Sequence, residues 1–112
     1  MNIINILENK IIKTLDDSKA QNIKTINTSG LTAIFDKIII STATSTTHAR
    51  SIAQKIFKIR KDFASIPSRN IEGISNAEWV IVDMNYIIVH IMQKDIRDFY
   101  DIENIWENND VL

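Results

Sequence analysis

Cysteine is absent from this 112-residue chain, which excludes disulfides, thiolate metal sites and cysteine nucleophiles together. Proline occurs once and glycine twice, too few for a flexible linker or for the glycine-rich turns of a GxGxxG motif or a P-loop. No apolar run approaches the ~18 residues of a membrane-spanning helix, so no membrane association is expected. Residues 1–10 carry Glu8 and no arginine. They lack the basic start and apolar block of a secretory signal, and the expected location is the cytoplasm. Neither charge sign dominates, with 13 Lys and Arg against 14 Asp and Glu and a formal net charge of −1. A protein that grips phosphates shows a basic excess or stripe, so little direct RNA contact is expected. Lys55, Lys58, Arg60 and Lys61 form the densest basic stretch and read as the solvated face of one helix.

What remains is the composition of an ordinary globular domain, 45% hydrophobic and 24% charged. One domain over residues 1–106 is expected, with a flexible tail at 107–112. Ile3, Leu7, Ile11 and Leu15 recur at spacings of four and predict a helix over residues 2–20. A short strand follows at 23–27, then a turn at Thr28-Ser29-Gly30. Ile38-Ile39-Ile40 lies in a β-branched run at 35–42, the pattern of a strand buried on both faces. The hydroxyl-rich turn at 44–48 suits the cap of a second helix, which carries Ala49, Ile52, Ala53, Ile56, Ile59 and Phe63 on one stripe. Residues 65–71 read as an extended segment, with Pro67 confining it to an edge. Two β-prone runs, at 79–82 and 86–91, are separated by Asp83-Met84-Asn85 and predict an antiparallel hairpin. Asn85 is suited there to a positive φ. One or two short helices close the chain at 94–106. The fold class is therefore α/β or α+β, a mixed five-stranded sheet covered by helices.

Catalytic chemistry finds little support. His48 lies near Ser45 and could be drawn with Asp36 or Asp83 as a triad, but no glycine elbow accompanies the serine, and helix capping explains the hydroxyls more simply. His48, His90, Asp36 and Asp83 lack the paired spacing of a metal site. Neither a metal nor any other cofactor is expected. The aromatic residues are more telling: Trp79, Tyr86, Phe99, Tyr100 and Trp106 all fall in the last third, and tryptophan and tyrosine dominate protein interfaces.

Four stretches, in order, carry a resemblance to the Iojap family of ribosomal silencing factors. IIISTATSTTHAR at 38–50 is similar to that family's strand, threonine-rich turn and histidine-bearing helix. Glu72-Gly73 matches its E-G pair, WVIVDMNYIIVH at 79–90 its hairpin, and RDFYDIENIW at 97–106 its ending. Upstream, Asp17, Lys19, Ala20 and Ile23 fit a further, shorter pattern. Ala43 stands in place of a usual glycine, Asn85-Tyr86 in place of Gly-Asp, and Asn22 in place of an aspartate. The alanine suggests a turn that does not require positive φ.

The resemblance implies a nucleotidyltransferase-like topology without the active site, and a non-enzymatic protein. Its expected partner is the large ribosomal subunit, met through that subunit's protein fourteen, where occupancy would sterically block the small subunit and repress translation. It also implies self-association as a homodimer. The expected contact residues are Trp79, Asp83, Met84 and Asn85 on the hairpin, with His90 and Arg97 in support. Met84 would offer a pliable apolar contact from the turn, and Asp83 a charge for a basic ribosomal protein. The rival reading is a nucleotide-binding protein or nucleotidyltransferase-like enzyme that uses the 44–48 turn, with Thr44 and His48, as a phosphate site.

Overall fold

A computed structural model describes residues 2–63 and 70–107. Helix α1 (Ile3–Asp17) begins at Asn2, whose side chain accepts a hydrogen bond from the Ile4 N–H, and buries Leu7, Ile11 and Leu15. Strands β1 (Gln21–Asn27) and β2 (Lys37–Ala43) form an antiparallel pair. Helix α2 (Thr46–Lys58) is capped by Ser45 and passes into a 3-10 turn at Ile59–Asp62, a tighter end than the continuous helix expected to Phe63. Strand β3 (Ile71–Glu72) is short, and residues 65–69 of the expected extended segment, Pro67 among them, lie outside the described residues. Strands β4 (Trp79–Asp83) and β5 (Ile87–Gln93) make the expected antiparallel hairpin. Helices α3 (Lys94–Tyr100) and α4 (Ile102–Glu107) follow, divided by Asp101 in the left-handed conformation. Glu107, expected to open a flexible tail, instead closes α4 and pairs with Lys24 at 2.8 Å.

The five strands run in the order β1-β2-β5-β4-β3, with β2 and β5 parallel and the other pairs antiparallel. Alternation along each strand divides the core in two. Ile39, Ala43, Val80, Val82, Ile87, Val89 and Ile91 pack with α1 and α2. Ile26, Ile38, Ile40 and Met92 face the other way, against Ile96, Ile102 and Trp106 of α3 and α4. The result is three layers, with the Ile38-Ile39-Ile40 run buried on both faces as its composition predicts. No described helix is long and apolar enough to cross a membrane.

The loop before β4 is pinned from two sides. Arg50 of α2 donates to the carbonyls of Ile74 (2.9 Å) and Ser75 (2.7 Å), and Gln93 of β5 donates to the Ala77 carbonyl (3.0 Å). Gly73 enters this loop at φ 81°, and a Cβ there would lie 2.2 Å from the Trp79 carbonyl oxygen. Both the conformation and the contact require glycine. Gly73→Ala should therefore destabilise the fold by about 2–4 kcal/mol, read as a lower urea midpoint at unchanged m-value.

Candidate docking face

Helices α3 and α4 cover only part of their side of the sheet. Beyond them, β4 presents Trp79, Ile81 and Asp83, each half-buried, on the face opposite to core residues Val80 and Val82. The indole of Trp79 lies 5.0 Å from the Tyr100 ring, and Tyr100 meets Phe99 edge-on at 5.0 Å. Phe99 is 78% exposed and Tyr100 50%. One hollow of about 270 Å³ is lined by Glu72, Gly73, Trp79 and Ile81. A second, of about 200 Å³, is lined by Gly73, Asn76, Glu78, Trp79, Ile96 and Tyr100. The two share Trp79 and Gly73, so this is one apolar surface with carboxylates of Glu72, Glu78 and Asp83 at its rim. Ile81, Phe99 and Tyr100 were not among the expected contact residues. The adjacent aromatics at the end of a short helix were the available signal, since the two project in different directions and are hard to bury together.

The hairpin itself corrects several expectations. Asn85 holds φ 70° as anticipated, standing where the resemblance has glycine; asparagine tolerates this region better than most residues. The turn is tight, with the Tyr86 N–H donating to the Met84 carbonyl (2.9 Å) and the Asn85 N–H to Asp83 Oδ1 (2.8 Å). Asp83 thus shapes the turn as well as charging the rim. Met84, expected to project into solvent, is 1% exposed and belongs to the core beneath α1 and α2. The alternation Val80, Val82, Met84 continues past the end of the strand and carries its side chain inward.

His90 and Arg97 are likewise interior groups rather than surface contacts. Arg97 is 9% exposed; its Nη1 donates to the Asn22 carbonyl and to Thr42 Oγ1, both at 2.8 Å. Its Nε and Nη2 grip the Glu103 carboxylate at 3.0 and 3.2 Å. The side chain therefore fastens β1, β2, α3 and α4 together. His90 sits in the row Ile40–His90–Ile81 across three strands, under the aromatic surface. Its Nδ1 accepts a hydrogen bond from Trp79 Nε1 at 3.0 Å.

Burial lowers the His90 pKa from 6.5 to about 4. The folded protein thus holds this imidazole neutral while the unfolded chain protonates it near pH 6.5, so stability is complete above that value and falls as the pH drops toward 4. The difference corresponds to about 3 kcal/mol, lost mostly between pH 6.5 and 4. Chemical denaturation across this range should show that loss in the native protein and lack it in His90→Phe.

A larger hollow, about 610 Å³, lies elsewhere, at the C-terminal ends of β2 and β5 beside Thr44 and Thr46. It adjoins the turn on which a phosphate site would depend. There the Thr44 N–H donates to His48 Nδ1 (3.0 Å), and the His48 N–H donates to Ser45 Oγ (3.0 Å). His48 Nε2 in turn donates to the Ser18 carbonyl at the end of α1 (2.7 Å). With Nδ1 an acceptor, the imidazole is the neutral Nε2–H tautomer, and it ties two helix ends together. These two N–H donors are engaged within the protein, which removes them as phosphate ligands. Ala43, 2% exposed at the end of β2, adopts no positive φ, in keeping with the loss of the usual glycine.

Comparison with known proteins shows the family and the fold. Residues 3–112 match the family model described as "Ribosomal silencing factor during starvation". The chain is 34% identical over 95 residues to the ribosomal silencing factor of Chromobacterium violaceum, covering 85% of this chain and 77% of that protein. It is also 34% identical over 96 residues to the corresponding factor of Haemophilus influenzae, covering 86% and 93%. A crystal structure of a Chromobacterium violaceum protein superposes with a TM-score of 0.87 at 33% identity, covering 96% of this chain and 88% of that one.

Proposed function

Because the chain belongs to the family of ribosomal silencing factors, we propose that it represses translation by docking on protein fourteen of the large ribosomal subunit and sterically opposing association with the small subunit. The observation that carries this reading is the half-open face of β4. Trp79, Ile81, Phe99 and Tyr100 form its apolar part, and Glu72, Glu78 and Asp83 stand at its rim. Aromatic anchors with a polar border are the anatomy of a protein interface, and an acidic border complements the basic surface of a ribosomal protein. Since β4 is held by the sheet behind it, little ordering accompanies binding. Steric occupancy needs no cofactor and no turnover. The α2 lysines Lys55 and Lys58, with Lys61 in the 3-10 turn, are exposed on the helical layer across the sheet, away from this face.

Co-sedimentation with purified large subunits tests the reading. Phe99→Ser combined with Tyr100→Ser should weaken binding by about 2 kcal/mol or more while the thermal melt changes little, because Phe99 is largely exposed and Tyr100 half-exposed. Wild-type retention by the folded double variant would overturn the assignment of this face. Affinity should also fall only modestly between 50 and 200 mM salt. A loss of about three to five orders of magnitude is the mark of ~6–10 phosphate contacts, and would point to ribosomal RNA instead. Added before the subunits are mixed, the protein should reduce the joined-ribosome peak; added afterwards, it should do little.

A further inference from the structure

Trp79 is the largest side chain on the candidate face, and the structure holds its indole from two directions. Tyr100 lies against the ring at 5.0 Å, with the planes inclined at 48°. Behind it, His90 receives the indole N–H on Nδ1 at 3.0 Å, the ring centroids being 6.0 Å apart. The sheet register creates this pair: Trp79 lies opposite Met92 and His90 lies opposite Ile81, which makes Trp79 and His90 diagonal neighbours on one face. His90 is 9% exposed and is held in the parallel register between β5 and β2, so its own position varies little. It is too deeply placed to act as a contact itself.

We propose that His90 is a positioning residue for docking, its Nδ1 acceptor setting the orientation in which Trp79 presents its indole to the partner. This rests on the reading of the β4 face as the docking surface. An indole attached to a half-open strand can otherwise take several rotamers, and binding then has to select one of them. A hydrogen bond formed before the partner arrives removes that selection. The bond also dictates chemistry at position 90. The residue must offer an acceptor where Nδ1 lies, which requires the neutral Nε2–H imidazole. A purely apolar residue of similar size would fill the space and leave the indole unaimed.

The test compares His90→Phe, which keeps a ring and removes the acceptor, with His90→Asn, whose amide oxygen can stand near Nδ1. His90→Leu serves should the phenylalanine variant fail to fold. The first readout needs no ribosome: of the two indole N–H resonances in a ¹⁵N-labelled protein, the one lost in Trp79→Phe is followed. His90→Phe should shift and broaden it, and His90→Asn should largely restore it. An unchanged resonance in His90→Phe overturns the proposal. The second readout is affinity for large subunits, expected to fall roughly 2- to 10-fold in His90→Phe, in keeping with one unfixed side chain. In a Trp79→Ala background the same substitution should have no further effect, because its influence passes through the indole. A moved resonance with unchanged affinity, where Trp79→Ala still weakens binding, overturns the positioning role and leaves the docking face standing. Unchanged affinity in Trp79→Ala overturns the docking face and the positioning role with it.

Discussion

Met84→Glu should destabilise the protein by about 4–5 kcal/mol, enough to unfold most of it at ambient temperature if its stability lies near the lower end of the usual range. The substitution places a carboxylate among Val80, Val82, Ile87 and the buried residues of α1 and α2, with Met84 itself 1% exposed. Such a group either stays charged without solvation or takes up a proton, and both raise the free energy of the folded state. Met84→Leu, which nearly conserves volume, should change stability by less than about 1.5 kcal/mol. Circular dichroism melts of the two variants decide the matter. A folded, wild-type-like Met84→Glu would mean that the hairpin turn opens its side chain to water.

The second large effect belongs to Arg97. Arg97→Ala removes the bidentate grip on Glu103 and the bonds to the Asn22 carbonyl and Thr42 Oγ1, leaving a carboxylate of 19% side-chain exposure without its partner. A loss of about 3–5 kcal/mol is expected, most of it from the stranded charge rather than from the pair's own strength. The double variant Arg97→Met with Glu103→Leu should recover much of it, since apolar groups of similar volume often replace a buried ion pair with little loss. Denaturant midpoints for Arg97→Met alone, Glu103→Leu alone and the double would give the coupling energy directly. Additive single effects would show that the charges do not depend on each other. Because the same side chain joins β1 and β2 to the helices bearing Phe99 and Tyr100, the single variant should also blur the candidate docking face.

Much of this protein was legible as sequence because the deciding signals are local. The β-branched run at 38–40 identified the strand buried on both faces, spacings of four identified the buried stripe of α1, and the hydroxyls before α2 announced the Ser45 cap. Asn85 declared its positive φ through its own chemistry. Each of these follows from propensity or periodicity over a few residues, which a chain carries with it wherever it packs. The family motifs lie in the same stretches.

The roles of the expected contact residues were decided by partners far away along the chain. Arg97 looks like a free surface cation until the fold brings Asn22 and Thr42, 75 and 55 positions away, within hydrogen-bond distance. His90 becomes an acceptor for Trp79 only through the β4–β5 register, and Met84 becomes core only because α1 and α2 roof that side of the sheet. Phe99 and Tyr100, whose composition alone suits a core, are left outside because α3 ends after seven residues and turns at Asp101. Sequence pattern determined which segments would be strands and helices, since that depends on neighbours in the chain. Tertiary packing decided which polar groups are internal fasteners and which apolar ones stay exposed, because burial is a property of the assembled layers and no single segment contains it.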